Sequence, residues 1–325
     1  MEPVLHQEPR VLQTKFHIVL NANSGGATRL GVTAERLHGL FAERGIAVSV
    51  DADSSRPFAE RLQTARNSPA EILLSAGGDG TVTALAEVAI ATGRNLAVLP
   101  LGTANLLARD LAIPTTLEAW FEALDSMVSR KIDVGEVNGQ IFLHKVVIGA
   151  VPGIAAAREK LRGHDGLVAR IAFLGHLIRR LSRLRRFAAE ITPRSGEPRI
   201  ERVQSIAVAN NDYGEGLGQV FHRPRLDEGI LSLYVLRHLR LRDALRLATE
   251  MVLGSWRNDE VLEVESVRAV VVRTRHPLIR AMLDGEVVSL QGPLRFRTLP
   301  LALSVLAPPV ADATPLSAES EPEAS

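Results

Sequence analysis

Residues 71–88 read EILLSAGGDGTVTALAEV. Ile72, Leu73 and Leu74 form an apolar run of the kind that makes a buried strand. The run breaks at Gly77-Gly78-Asp79-Gly80-Thr81, and Val82, Leu85 and Val88 then recur at helical spacing. Three glycines in four positions let the backbone take positive φ and come close to a ligand with no Cβ in the way. Amides at a strand-to-helix turn lie at the positive end of the helix, where a phosphate is favoured. A tight turn without a ligand uses glycine for the same reason. Asp79 and Thr81 tip the reading, adding an acid and a hydroxyl where a nucleotide or its metal would sit.

The flanking sequence repeats this plan. Upstream, Lys15 to Leu20 reads as a strand ending in the turn NANSGG, followed by a helix with Leu30, Leu37, Leu40 and Phe41 on one side. Ile46 to Val50 is the next strand, then DADS and a helix from about Pro57. Downstream, Asn95 to Leu99 leads into Pro100-Leu101-Gly102-Thr103-Ala104-Asn105 and another helix. Strands alternating with helices to about residue 129 imply βαβ units and a parallel sheet. Ligands of such sheets bind beyond the carboxyl ends of the strands. NANSGG, DADS, GGDGT and GTAN all fall there, so their shared rim predicts a nucleotide crevice. Trp120 and Phe121, on a helical pattern, are expected in the core and not on a ligand platform.

After Arg130 the pattern changes. IDVGEV and QIFLHKVVIGA flank Asn138-Gly139, a type I′ hairpin signal. Further strand-like runs are Val203–Ala209, Ile230–Leu236, Val267–Arg273, Ile279–Leu283, Leu294–Phe296 and Ala302–Leu306. Helix-period stretches interrupt them at about 154–188 and 240–254. The expected architecture is an α/β N-terminal domain with a parallel sheet over residues 15–130. A mostly antiparallel β domain follows over 131–308. Residues 1–14 read as a loose leader, and 309–325, rich in Pro, Ser and Glu, as a disordered tail.

Bulk properties narrow the function classes. With 325 residues, 46% hydrophobic and 23% charged, the chain is long enough for one large or two ordinary globular domains. A net charge of +1 gives no global pull on nucleic acid, and aromatics, at 4%, do not interleave with the arginines. The absence of cysteine removes disulfides and thiolate metal sites and fits a reducing compartment. MEPVLHQEPR lacks the pattern of a signal peptide, and no apolar run reaches the roughly 18–20 residues of a membrane span. The expected location is the cytoplasm, with peripheral contact at the inner membrane face. The histidines show no zinc spacing, and no GxSxG hydrolase elbow occurs.

Four motifs in order, NANSGG, GGDGT, LPLGTAN and a late Leu283-Asp284-Gly285-Glu286, resemble the diacylglycerol kinase catalytic family, which includes bacterial lipid kinases and the sphingosine and ceramide kinases. The resemblance spans about residues 15–308. It implies ATP in the crevice of the α/β domain, a C-terminal β-sandwich, and a lipid substrate between the two, met at a membrane surface. On this resemblance Gly77, Gly78, Asp79, Gly80 and Thr81 hold the ATP phosphates. Asn23, Gly102, Thr103 and Asn105 line the same crevice, and Asp53 lies near the nucleotide. Asp284 matches the family's proposed general base, with Glu286 beside it and Asp79 as the rival. Residues 225–230 resemble a loop that binds a structural Mg²⁺ through the Glu228 carboxylate and the Arg225 and Ile230 carbonyls. The sequence departs from the pattern at Ala84 and Leu106, where many relatives carry Glu and Asp, at His144-Lys145, where Asn is common, and at Glu228 itself.

One further stretch stands outside these motifs. Leu167 to Phe187 puts Leu167, Ile171, Leu174, Ile178, Leu181 and Leu184 on one stripe, with Arg179, Arg180, Arg183 and Arg186 on its flank. Such a helix lies on an anionic bilayer or packs into a core with its charged face in water; the sequence leaves both open.

Overall fold

The structure, a computed structural model, describes residues 16–149, 186–214, 222–238, 243, 246, 249–250 and 261–309. The apolar runs of the first half become β1 (Phe16–Leu20), β2 (Val48–Asp51), β3 (Ile72–Gly77) and β4 (Asn95–Pro100). They pair in parallel in the order β2-β1-β3-β4. Every residue of β1 and β3 is buried, as in a sheet covered on both faces. The helices are α1 (Gly25–Leu30), α2 (Ala34–Ala42), α3 (Phe58–Asn67), α4 (Asp79–Thr92), α5 (Leu106–Asp110) and α6 (Leu117–Leu124).

The helix expected across Leu30 to Phe41 is two helices. Gly31, at φ 59°, closes α1, and the Thr33 hydroxyl accepts the Arg36 amide to open α2. Leu37 and Phe41 are fully buried, whereas Leu30 and Leu40 pack only partly. Phe41 meets the rings of Trp120 and Phe121, and Trp120 Nε1 donates to the Val98 carbonyl at 2.8 Å. Both aromatics of α6 are therefore core, as expected.

The second half adds β5 (Val128–Val137), β6 (Gln140–Phe142), β7 (Lys145–Ile148), β8 (Phe187–Pro193), β9 (Arg199–Val203) and β10 (Ser205–Asn210). Then come β11 (Leu231–Leu236), β12 (Leu262–Val267), β13 (Ala269–Thr274), β14 (Leu278–Leu283), β15 (Glu286–Gln291) and β16 (Leu294–Ala307). Asn138 and Gly139 join β5 to β6 with φ 49° and 85°, the positive pair that a type I′ turn needs. Six strands form an antiparallel sheet in the order β12-β11-β10-β7-β14-β15. The others extend the first sheet past β4 as β16-β13-β8-β9, with β5 beside β16. Val146, Val208, Leu233 and Ile279 from one sheet share a core with Ile191, Val270, Val272 and Phe296 from the other, which makes the sandwich.

The long strands β5 and β16 thread both cores. Leu294 and Phe296 of β16 lie in the sandwich core, and Leu303, Val305 and Ala307 lie in the α/β core. A register shift between Leu299 and Leu303 separates the two stretches, so the two runs read from sequence are one bulged strand. β5 does the same, with Val137 in one core and Ile132 and Val134 in the other. Near its end β16 pairs in parallel with β4, Val305 opposite Leu96.

The helix expected at 154–188 lies outside the described residues except at its end, where Phe187 opens β8 instead. Of 240–254, only Asp243, Arg246, Thr249 and Glu250 are described, and these are helical. The leader and residues 310–325 also lie outside. Among the described residues no helix is long and apolar enough to cross a membrane.

Candidate active site

The turns at the carboxyl ends of β1, β3 and β4 are stitched together by their backbones. Asn21 N–H donates to Ala76 O at 2.9 Å, Leu101 N–H to Gly77 O at 2.9 Å and Gly26 N–H to Leu101 O at 3.1 Å. Gly77, Gly78 and Gly80 do not use the positive φ open to glycine. They supply room. A Cβ on Gly77 would collide with the Thr81 side chain, one on Gly80 with the Glu286 carboxylate, and one on Gly102 would fall 2.7 Å from Gly78 Cα.

Gly78 caps α4 without a side-chain hydrogen bond, so among the described residues the positive end of this 14-residue helix is left to a ligand. Asp79 points elsewhere: its carboxylate accepts the Leu106 amide at 2.7 Å and the Asn105 amide at 3.2 Å, capping α5. Asn105, at φ 47°, folds back to accept the Gly102 amide at 2.8 Å. Thr81 is buried, while Asn23 and Thr103 are exposed on the rim. Asp53 is exposed and turned back on its own loop, accepting from Ser55 N–H at 3.0 Å and Ser55 Oγ at 2.6 Å, bonds that hold its carboxyl below the usual range.

The far wall comes from the second sheet. Asp284 and Gly285 form the two-residue turn between β14 and β15, with φ 48° and 99°. Only 9% exposed, the Asp284 carboxylate accepts amides from Leu143 at 2.7 Å and from His144 and Lys145 at 2.9 Å. Its fourth donor is the Thr83 hydroxyl of α4, at 3.2 Å. Burial raises the affinity of Asp284 for a proton, and the three amides and the Arg223 charge oppose that. A pocket lies between the halves, lined by Asp79, Val82, Thr83, Leu106, Arg223 and Asp284 among others. Glu286 is exposed, its Oε1 against the backbone of Gly80.

Behind Asp284 sits a charged pair that sequence reasoning missed. Arg223 is completely buried and binds the Asp110 carboxylate through Nη2 at 2.6 Å and Nε at 2.9 Å. His144, whose backbone cradles Asp284, is held neutral by burial and by the Arg223 and Lys145 charges. Its Nδ1 lies 2.8 Å from Tyr213 Oη.

In the loop at 225–230, Glu228 is exposed, Arg225 pairs with Asp227 at 3.1 Å, and Ile230 O accepts the Asn211 amide at 3.1 Å. The donors expected there are all oxygens, the ligand chemistry Mg²⁺ takes. Asp133, fully buried on β5, pins the loop by accepting the Gly229 amide at 2.6 Å and the Leu301 amide at 2.8 Å. Among the described residues no three His, Cys, Asp or Glu side chains gather for a metal.

Known proteins match both halves. Residues 15–137 match the diacylglycerol kinase catalytic domain, and residues 153–307 the YegS C-terminal NAD kinase beta sandwich-like domain. Over 316 residues the chain is 31% identical to the Pseudomonas aeruginosa protein named "Probable lipid kinase YegS-like", covering 90% of this chain and 94% of that one. The chain belongs to the diacylglycerol kinase catalytic family. A Bacillus subtilis protein of that group, named "Diacylglycerol kinase", is 27% identical over 222 residues, 66% of this chain and 71% of its own. A crystal structure described as a diacylglycerol kinase from Bacillus anthracis str. Sterne has the same fold, with a TM-score of 0.62 at 19% identity over 91% of this chain and 97% of that one. Membership makes the chain an enzyme of the kinase class. Within this family's pattern, the departure at Leu106 puts an apolar side chain into the pocket wall, above the amide that Asp79 caps.

Proposed function

We propose that the protein transfers the γ-phosphate of ATP to a hydroxyl of diacylglycerol or a related lipid alcohol at a membrane surface. The observation that carries this reading is the Asp284 carboxylate, which is delivered by the second sheet to Thr83 of the helix that begins at GGDGT. Phosphoryl transfer needs positioning and charge neutralisation more than covalent help. The open first-turn amides of α4 suit the phosphates, with Gly77, Gly78, Gly80, Gly102 and Thr103 shaping the rim and Asn23 and Asn105 flanking it. Asp79 acts indirectly, holding the turn at 102–106 in place through α5.

A lipid hydroxyl is a poor nucleophile near neutral pH, so a carboxylate must take its proton. All four acceptor positions of Asp284 are filled, and the Thr83 bond, at 3.2 Å, is the longest. The substrate hydroxyl would displace Thr83 and donate in its place. Glu286, against Gly80, would orient the same turn. Bound Mg²⁺ would offset phosphate charge; at the loop, Glu228 and the Arg225 and Ile230 carbonyls would hold such an ion.

The β-sandwich match to a domain described as NAD kinase-like favours a second reading, phosphorylation of NAD. The test is turnover of ATP with Mg²⁺ against mixed micelles of diacylglycerol, monoacylglycerol, sphingosine or ceramide, and against NAD, with products read by mass spectrometry. A phosphorylated lipid and no phosphorylated NAD is expected. The reverse would establish the second reading, and ATP binding with no transfer to any acceptor would mark a non-catalytic relative.

A further inference from the structure

We propose that Arg223 is a positioning residue for this reaction: locked to Asp110 on one side, it holds on its other side the peptide whose amides cradle the Asp284 carboxylate. Its Nη1 donates to the Leu143 carbonyl at 2.6 Å and to the Asn210 carbonyl at 2.8 Å. Its Nε, Nη2 and backbone N–H all go to Asp110. Leu143 is the first of the three residues whose amides bind Asp284.

The bonds close a ring. Asp79, at the start of α4, caps the start of α5; Asp110, at the end of α5, grips Arg223; Arg223 grips residue 143; residues 143–145 grip Asp284; and Asp284 returns to Thr83 of α4. The phosphate-side turn and the acid are thereby tied to one another across the two halves, through a buried middle of Asp110, Arg223 and Asp284 and partly buried ends at Asp79 and Thr83.

Two physical arguments favour orientation over stability as the role of the pair. A carboxylate on the last residue of a helix opposes the helix dipole. Burying an ion pair rarely gains over apolar packing of the same volume. Arg223 also supplies a planar fork that Lys cannot reproduce, and it uses both edges of the fork here. The ionisable groups around Asp284 are Asp79 from α4, Asp110 from α5, neutral His144 just before β7, Lys145 from β7, Tyr213, Arg223, and Glu286 from β15. Arg223 is the cation that lowers the proton affinity of Asp284.

The inference rests on reading Asp284 as the base, and the test separates the two. Removing one partner of the pair would strand a buried charge. The informative variants are therefore Arg223→Lys, which keeps the charge, and the neutral double variant Asp110→Asn with Arg223→Gln. In folded protein, verified by circular dichroism and thermal melting, kcat should fall about a hundredfold in both while KM for ATP changes little. The acid limb of kcat/KM should stay near wild type in Arg223→Lys, which keeps the charge that lowers the proton affinity of Asp284. Amide hydrogen exchange at residues 143–145, which needs no catalysis, should speed up in both. A folded double variant with kcat within about threefold of wild type, or with unchanged exchange at 143–145, overturns the proposal. An active Asp284→Asn would instead overturn the assignment of the base, whatever the exchange shows.

Discussion

Among the described residues the same two-residue hairpin turn occurs twice, and the two copies meet different fates. Asn138-Gly139 and Asp284-Gly285 both take positive φ at both positions, 49° and 85° in one, 48° and 99° in the other. Asn138 stays exposed and uses its side chain as strapping, donating to Gln291 O at 2.7 Å and accepting from the Arg295 amide at 2.8 Å. Asp284 is driven inward against three amides and a helix hydroxyl. A dipeptide thus prescribes a backbone shape, while the chemistry of its first side chain depends on what the fold sets opposite, here a peptide some 140 residues away. An ordinary turn and an acid site are one object at Asp284.

Exchanging the side chains is the strongest way to break that parallel. Asn tolerates the left-handed region, as Asn138 demonstrates, so Asp284→Asn should keep the hairpin and lose the proton acceptor. We expect kcat to fall by about 10²–10⁴-fold with ATP affinity nearly unchanged, measured by steady-state kinetics; survival of activity within a few-fold would move the base elsewhere. Because burial raises the Asp284 pKa, wild-type activity should be lost on acidification at a pH above the usual carboxylate range. The stability sign is opposite. The folded state binds this proton more tightly than the unfolded chain, so its contribution is complete below the unfolded pKa and is lost as pH rises through the folded one. Denaturation of Asp284→Asn across that window should lack this component.

The glycines sharpen the contrast at a smaller scale. Gly139→Ala and Gly285→Ala each put a Cβ on a left-handed residue, at a cost of about 1–2 kcal/mol. Both should melt lower by similar amounts. Only Gly285→Ala should also reduce kcat, because it disturbs the turn that aims Asp284. Equal activity in the two variants would uncouple the turn from the chemistry.

Much of this was legible in advance, for uneven reasons. Apolar runs such as Ile72–Leu74 announce buried strands because a covered parallel sheet has no polar face. The turn glycines grant either positive φ or close approach; sequence cannot tell one need from the other, and Gly77 and Gly102 are there for room. Gly31 fell inside a helical pattern, where a glycine is either tolerated or terminal. β15 escaped notice because its residues are mostly exposed and alternate weakly. That Asp284 faces the crevice was implied by the family resemblance; its contact with Thr83 of α4 was not. The Asp110–Arg223 pair did not, since its members are 113 positions apart and Arg223 sits in a polar run that looks like surface loop.

The shared strand β16 has a consequence for the order of events during synthesis. The outer edge of β4 is paired by a segment that ends at Ala307, and part of the first core is made of Leu303, Val305 and Ala307. The ribosome must therefore deliver the chain through Ala307 before the α/β half is sealed, leaving an open strand edge of the kind that invites aggregation until then. A chain released after residue 290 should be cut rapidly by protease within residues 16–130; resistance equal to that of the intact chain would show that the early half closes unaided.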